Sequence, residues 1–239
     1  MHNSLSPLRL GLAAAAGSLI AGCSLSSSSS PPSPPVTTHS APPSSAAPLS
    51  GPQLANVLLP ASSMPSGYEL DPSATRNTGA QLPSDSAQPV PDSQLCQAFA
   101  QTSFIRVAGI RTGVFAQSDY VNADHSAEIA QEIDTFTGTD AQQAMTKLWQ
   151  AFGKCSHFSY HSNGTTVSST LTRSRLPGVG DEAIKAVVVS PVFQGGDTLV
   201  AIRMGSQIIT TLVSSTSKDL GAPGVRYAKQ IAQRLRAAQ

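Results

Sequence analysis

Thr139-Asp140-Ala141-Gln142-Gln143-Ala144-Met145-Thr146-Lys147-Leu148-Trp149-Gln150-Ala151-Phe152-Gly153-Lys154-Cys155 is the stretch on which the reading of the fold turns. Ala144, Met145, Leu148, Trp149 and Phe152 recur at the 3.6-residue period and make one apolar stripe. Thr139 or Asp140 supplies an N-cap, and Gly153 marks the end. An amphipathic helix over 141–152 therefore packs one face on something else, and the flanking segments say what. Trp149 lies on the stripe and reads as core.

Before the helix, Gly113–Asn122 and Ala127–Phe136 alternate with period two. Val114, Ala116, Ser118 and Tyr120 oppose Phe115, Gln117 and Val121, while Ile129 and Ile133 oppose Glu128, Glu132 and Asp134. This is the pattern of consecutive antiparallel strands with one face wet. On that reading Asp119, Asp124, Glu128, Glu132 and Asp134 are an outward face carrying charge for solubility. Acid/base chemistry or calcium binding is the alternative, but the spacing fits no EF-hand loop.

After the helix, Phe158–Tyr160 and Thr165–Thr172 flank Ser162-Asn163-Gly164, a strong hairpin signal. Ala183–Ser190, Thr198–Met204 and Gln207–Ser214 follow, joined by Gly195-Gly196-Asp197 and Gly205-Ser206. Val225, Ala228, Ile231, Ala232 and Leu235 form a second helical stripe near the end. The sum is an α+β domain: a twisted antiparallel sheet of about five to six strands with helices packed on it, closed by one disulfide.

Upstream the pattern is looser. Leu54–Leu59 is a short apolar run, a helical turn or a docked strand closed by Pro60. Ala61–Pro91 is rich in Pro, Ser, Gly and Asp and lacks periodicity, which inside a compact domain marks a functional or mobile connection. Pro65-Ser66-Gly67 signals a turn that presents Tyr68. Leu95, Cys96, Phe99 and Ala100 recur at helical spacing behind Asp92 or Ser93.

The first 50 residues have another character. Leu19-Ile20-Ala21-Gly22-Cys23 follows an apolar run of about a dozen residues from Leu10, too short to cross ~30 Å of hydrocarbon but suited to a signal h-region. Small residues directly ahead of a cysteine read as a bacterial lipoprotein processing site, with Cys23 the lipidated residue. Residues 1–22 are then the signal peptide and 23–50 a tether. The tether holds Ser26–Ser30 and Pro31-Pro32-Ser33-Pro34-Pro35 and lacks the apolar surface to fold. Its prolines keep it extended. Residues 51–239 form a single domain on the outer face of the plasma membrane.

Composition narrows the partners. Charged residues are 12% of the chain and the net charge is +1, with no basic stripe for phosphate backbones, so nucleic acid is not an expected partner. Beyond Cys23 only Cys96 and Cys155 remain, and in an exported domain such a pair forms a disulfide. A thiol metal site or a redox pair is the alternative; no Cys-x-x-Cys is present. No nucleophile elbow, phosphate loop, zinc-protease helix or dinucleotide fingerprint occurs. No catalytic residue, cofactor or metal is assigned. His157 and His161 share a strand face and could contribute to a metal site, but no third ligand is fixed by spacing. Tyr68 and Tyr120 are the candidates for lining a ligand cleft.

The order of features from Ser93 to Leu235 resembles a family of actinobacterial, especially mycobacterial, lipoproteins. These are related to the extracellular sensor domain of PknH-type receptor Ser/Thr kinases. The carrying residues are Cys96, Phe115-Ala116-Gln117, and Thr137-Gly138-Thr139-Asp140-Ala141-Gln142 leading into the helix. Trp149-Gln150-Ala151-Phe152-Gly153-Lys154-Cys155, Leu176-Pro177-Gly178-Val179-Gly180-Asp181-Glu182-Ala183 and the final helix complete them. The resemblance implies a twisted antiparallel sheet with flanking helices and a ligand-receiving cleft. The kinase sensor has two disulfides, whereas this chain has cysteines for one. It carries no kinase domain, so signalling by phosphorylation is not implied.

The expectation is a non-enzymatic, lipid-anchored binding or sensor-like domain for a small molecule, lipid or envelope component. A module that scaffolds or regulates another envelope protein is the alternative, and a hydrolase without a readable motif ranks last.

Overall fold

The computed structural model describes residues 48–79, 90–100, 102–162, 165–191, 196–214 and 222–239. Cys23, the expected signal segment, the expected tether as far as residue 47, and Asn163 and Gly164 of the expected hairpin lie outside them.

Eight antiparallel strands form one sheet: β1 (Tyr68–Asn77), β2 (Val114–Asn122), β3 (Glu128–Thr135), β4 (His157–Ser162), β5 (Thr165–Arg175), β6 (Glu182–Val189), β7 (Asp197–Met204) and β8 (Gln207–Ser214). Their order is β1-β2-β3-β8-β7-β6-β5-β4. The chain builds one half as a meander and crosses the sheet by α2 (Asp140–Lys154). It then re-enters at the far edge and winds inward until β8 pairs with β3. This corrects the expected five to six strands. β1 arises from the Pro/Ser-rich stretch read above as a connection, because an edge strand exposed on both sides shows no alternation to read. It buries only part of Tyr68, Asp71 and Ala74.

Helices cover both faces. α2 buries Ala141, Ala144, Met145, Leu148, Ala151 and Phe152, the stripe read from the sequence, while Trp149 is only half-buried. The helix runs through Gly153 to Lys154 rather than stopping at the glycine. Beside it, residues 92–108 make three short 3-10 helices, Asp92–Gln94, Gln97–Ala100 and Phe104–Ala108, in place of the longer helical pattern. Phe99, Phe104 and Phe152 form an aromatic knot with centroids 4.8 Å (Phe99–Phe152) and 6.3 Å (Phe104–Phe152) apart. Cys96 and Cys155 are bonded across 59 residues, so the segment is fastened to the end of α2 as expected.

The opposite face carries α1 (Gly51–Val57) and α3 (Ala222–Ala237). Gly224 of α3 lies against β7 and β8, where even a Cβ would be in van der Waals contact, 3.4 Å from the Thr198 and Val213 side chains. Arg234 of α3 donates to the carbonyls of Val57 and Asn56, both at 2.6 Å, satisfying orphan acceptors at the end of α1. Leu59 is held by Gln131, which accepts from its N–H at 2.9 Å and donates to its carbonyl at 2.8 Å. The sheet thus has two cores, and β2–β3 lies between both.

Candidate functional site

Burial on both faces makes the acidic side chains of β2 and β3 exceptional. The register places Phe115 opposite Asp134, Gln117 opposite Glu132, Asp119 opposite Ala130, and Val121 opposite Glu128. The polar members of this set face α2 and the 92–108 segment. Asp119 and Asp134 are 2% exposed and Glu132 is 3% exposed, so the expectation of a wet, solubilising face is wrong for them. The covering layer is supplied by residues 92–108, which precede β2 in the chain and fold back over the β2–β3 pair. Asp124 alone of the five sits in the open, in the β2–β3 turn, bonded to Ser126.

Hydroxyls from the covering segment reach down to the carboxylates. Thr102 Oγ1 donates to Asp119 Oδ2 at 2.5 Å, and Gln117 Nε2 donates to the same oxygen at 3.2 Å. Ser103 Oγ donates to Glu132 Oε2 at 2.7 Å, and Arg76 Nε donates to Gln117 Oε1 at 3.1 Å. Among the described residues, Thr210 Oγ1 is buried without a hydrogen-bond partner, and Asp119 Oδ1 and Asp134 Oδ2 are buried with no partner other than a neighbouring carboxyl.

Desolvation dominates the electrostatics, because a buried carboxylate loses its hydration. It pushes Asp119 up to about 6 against the donors Thr102 and Gln117, with Glu132 adding to the rise. It pushes Glu128 up to about 7, reinforced by the charge of Asp119 and the hydrogen bond between the two. Asp134 is raised well above the carboxylate range by burial and by Glu132. Glu132 is raised by burial too, although Ser103 and the Arg76 and Arg106 charges oppose the rise. Burial thus raises the pKa of all four groups and sets donors and acceptors close together in a poorly solvated setting. Strongly shifted pKa values in one cluster are a recognised mark of functional sites. No three His, Cys, Asp or Glu side chains among the described residues converge as metal ligands.

The other candidates are placed apart from this cluster. Tyr120 points to the α1/α3 core, 4% exposed, its hydroxyl donating to the Leu59 carbonyl at 3.1 Å. Tyr68 is half-buried against the same core, its ionisation pushed up by burial and by Tyr227. The two tyrosines share a core rather than a cleft. Shallow hollows of about 400 Å³ and about 380 Å³ lie elsewhere, the first between α1 and α3, the second beside Asp181, Gly205 and Arg236. His157 is exposed at the sheet edge, and the His161 side chain lies outside the described set. Cys96–Cys155 pins the layer above the carboxylates. The signal for the acidic cluster was present as carboxylates at alternate positions of β3; what lay beyond the reach of periodicity was the cover.

No family model matches the sequence, and no curated protein matches it. The fold is similar to the crystal structure of the extracellular domain of PknH from Mycobacterium tuberculosis. The TM-score is 0.57 at 12% identity, over 80% of this chain and 98% of that one. At that identity the likeness is one of fold.

Proposed function

We propose that the chain is a non-enzymatic, lipid-anchored binding or sensor-like domain outside the cytoplasmic membrane. The observation that carries the reading is the row of carboxylates enclosed by the disulfide-fastened segment. Their pKa values, raised by burial, give the domain a way to respond to what reaches them. The shared fold with a receptor kinase's extracellular domain supports an extracytoplasmic, sensor-like role, and so does the disulfide, which persists in oxidising compartments. The ligand is a small molecule, lipid or envelope component whose hydroxyl or amine donors replace those of Thr102 and Ser103. Cys23 supplies the anchor.

Native mass spectrometry of the protein purified from its own membrane tests this. A bound species is expected, with occupancy reduced about tenfold by Asp119→Asn or Glu132→Gln, the loss of one hydrogen bond in a desolvated site. A ligand-free spectrum before lipid extraction would refute the binding reading. An envelope protein in its place would favour the scaffolding module.

A further inference from the structure

β1 and β4 are the two edges of the sheet, and they are protected differently. β1 carries Pro72 and a register break between Asp71 and Arg76, and both features spoil pairing with another strand. β4 has neither a proline nor a lysine, and its register against β5 is unbroken from His157 to Ser162. A regular, open edge is a template for a further strand.

Parity identifies which backbone groups that edge presents. The Leu171 N–H donates to the Ser156 carbonyl at 3.0 Å. In an antiparallel ladder the alternate residues 156, 158 and 160 then direct both backbone groups toward β5. Residues 157, 159 and 161 direct theirs outward, and no described strand pairs with them. Across this edge the sequence is His157-Phe158-Ser159-Tyr160-His161, which reads almost the same in either direction about Ser159.

We infer that β4 pairs antiparallel with β4 of a second copy of this chain, about a dyad at Ser159. In that register Ser159 meets its counterpart and His157 meets position 161. Both are outward-directed pairs, so main-chain bonds are exchanged in each direction. Phe158 meets Tyr160 at the non-hydrogen-bonded position, where facing side chains come closest. Within one copy the Phe158 and Tyr160 ring centroids are already 6.3 Å apart, so the seam joins two aromatic pairs into one cluster. A slip of one residue would set outward groups against inward ones and lose the bonds.

A strand from an unrelated protein would gain the same main-chain bonds, but the near-palindrome selects a second copy. The seam is short, so the dimer belongs to the weak, concentration-dependent class. The inference rests on β4 alone and is independent of the ligand reading.

The test uses the full chain. The dyad sets the two 159 Cα atoms about 5.5 Å apart, within disulfide reach. Ser159→Cys should therefore cross-link on oxidation, far faster than Gln233→Cys on the exposed side of α3. Ser159→Pro removes the outward N–H and no β4–β5 bond, at a position where edge strands accept proline. It should convert a dimer seen by light scattering into a monomer of unchanged circular dichroism. A wild-type monomer at the highest attainable concentration overturns the inference. So does a dimer that Ser159→Pro leaves intact, or a Ser159→Cys that cross-links no faster than the α3 control.

Discussion

Asp119 and Glu128 stand diagonally across the β2–β3 pair and share a hydrogen bond that favours the ionised Asp119 and the protonated Glu128, while burial raises both carboxyls above their ordinary range. Two carboxylates in a poorly solvated site cannot both ionise cheaply, so the pair retains a proton into the neutral range. The geometry thereby couples the domain's stability to pH.

The direction of that coupling follows from linkage. Unfolded, the two groups titrate near 3.8 and 4.5; folded, at about 6 and about 7. Between those values the native state binds more protons than the unfolded chain, so stability falls as pH rises through the window. Asp134 and Glu132 shift in the same direction. Asp71 and Asp124 act oppositely, but their pKa values are lowered from 3.8, so they act below this window. Thermal melts should show Tm about 5 °C lower near pH 8 than near pH 5. Asp119→Asn combined with Glu128→Gln should flatten the profile and raise the alkaline Tm. A profile that is steeper in the double variant would contradict the assignment.

Removing the Cys96–Cys155 bond tests the cover. The bond closes a 59-residue separation, which the loop-entropy relation values at about 4 kcal/mol. The reduced protein, or Cys96→Ser with Cys155→Ser, should lose that much in urea titrations. Amide exchange should then accelerate first in 92–108, because α2 and the sheet keep their own packing. Uniform acceleration across the domain would show that the segment is not a separate unit.

Gly153→Ala isolates the Trp149 environment. A Cβ at 153 would lie 2.8 Å from the Arg173 guanidinium, which stacks on Trp149 at 4.1 Å and donates to its carbonyl. The guanidinium is the far end of a flexible chain and can swing away. Lost stacking costs about 0.5–1 kcal/mol at an exposed site. Alanine in place of a helical glycine returns at most about 1 kcal/mol. Stability should therefore change by less than about 1 kcal/mol while the emission of the single tryptophan shifts. An unmoved spectrum would place Arg173 elsewhere in solution.

The same contrast between local pattern and remote cover explains what the sequence disclosed. The stripes through Met145 and Leu148, and through Ile231 and Leu235, are local and periodic, and both became helices on the sheet. Ile129 and Ile133 were readable as one buried face of β3, facing α1 and α3. Asp119 and Glu132 were not readable as buried, because their cover comes from Thr102 and Ser103, whose position depends on tertiary closure. The disulfide was the one available hint that residues near Cys96 lie over the sheet next to α2. Tyr120 likewise looked free to meet a ligand, since nothing near it in sequence announces Leu59 as its partner.

Gln131 offers the sharpest measure of that long-range closure. It is 1% exposed, and its amide grips both backbone groups of Leu59, 72 residues away. Truncation to alanine leaves the buried Leu59 N–H without an acceptor, a penalty of about 1–3 kcal/mol. The carbonyl fares better, because Tyr120 still donates to it. The volume lost with the side chain adds to the cost, giving about 3 kcal/mol in all. Gln131→Leu restores the volume but not the acceptor, so it should recover only part of that loss. Both variants should loosen α1, seen as faster amide exchange over residues 51–59, while α3 stays protected by its own contacts with β7 and β8. Equal stability of Gln131→Leu and the wild type would mean that packing, rather than the amide clamp, seats this segment on the sheet.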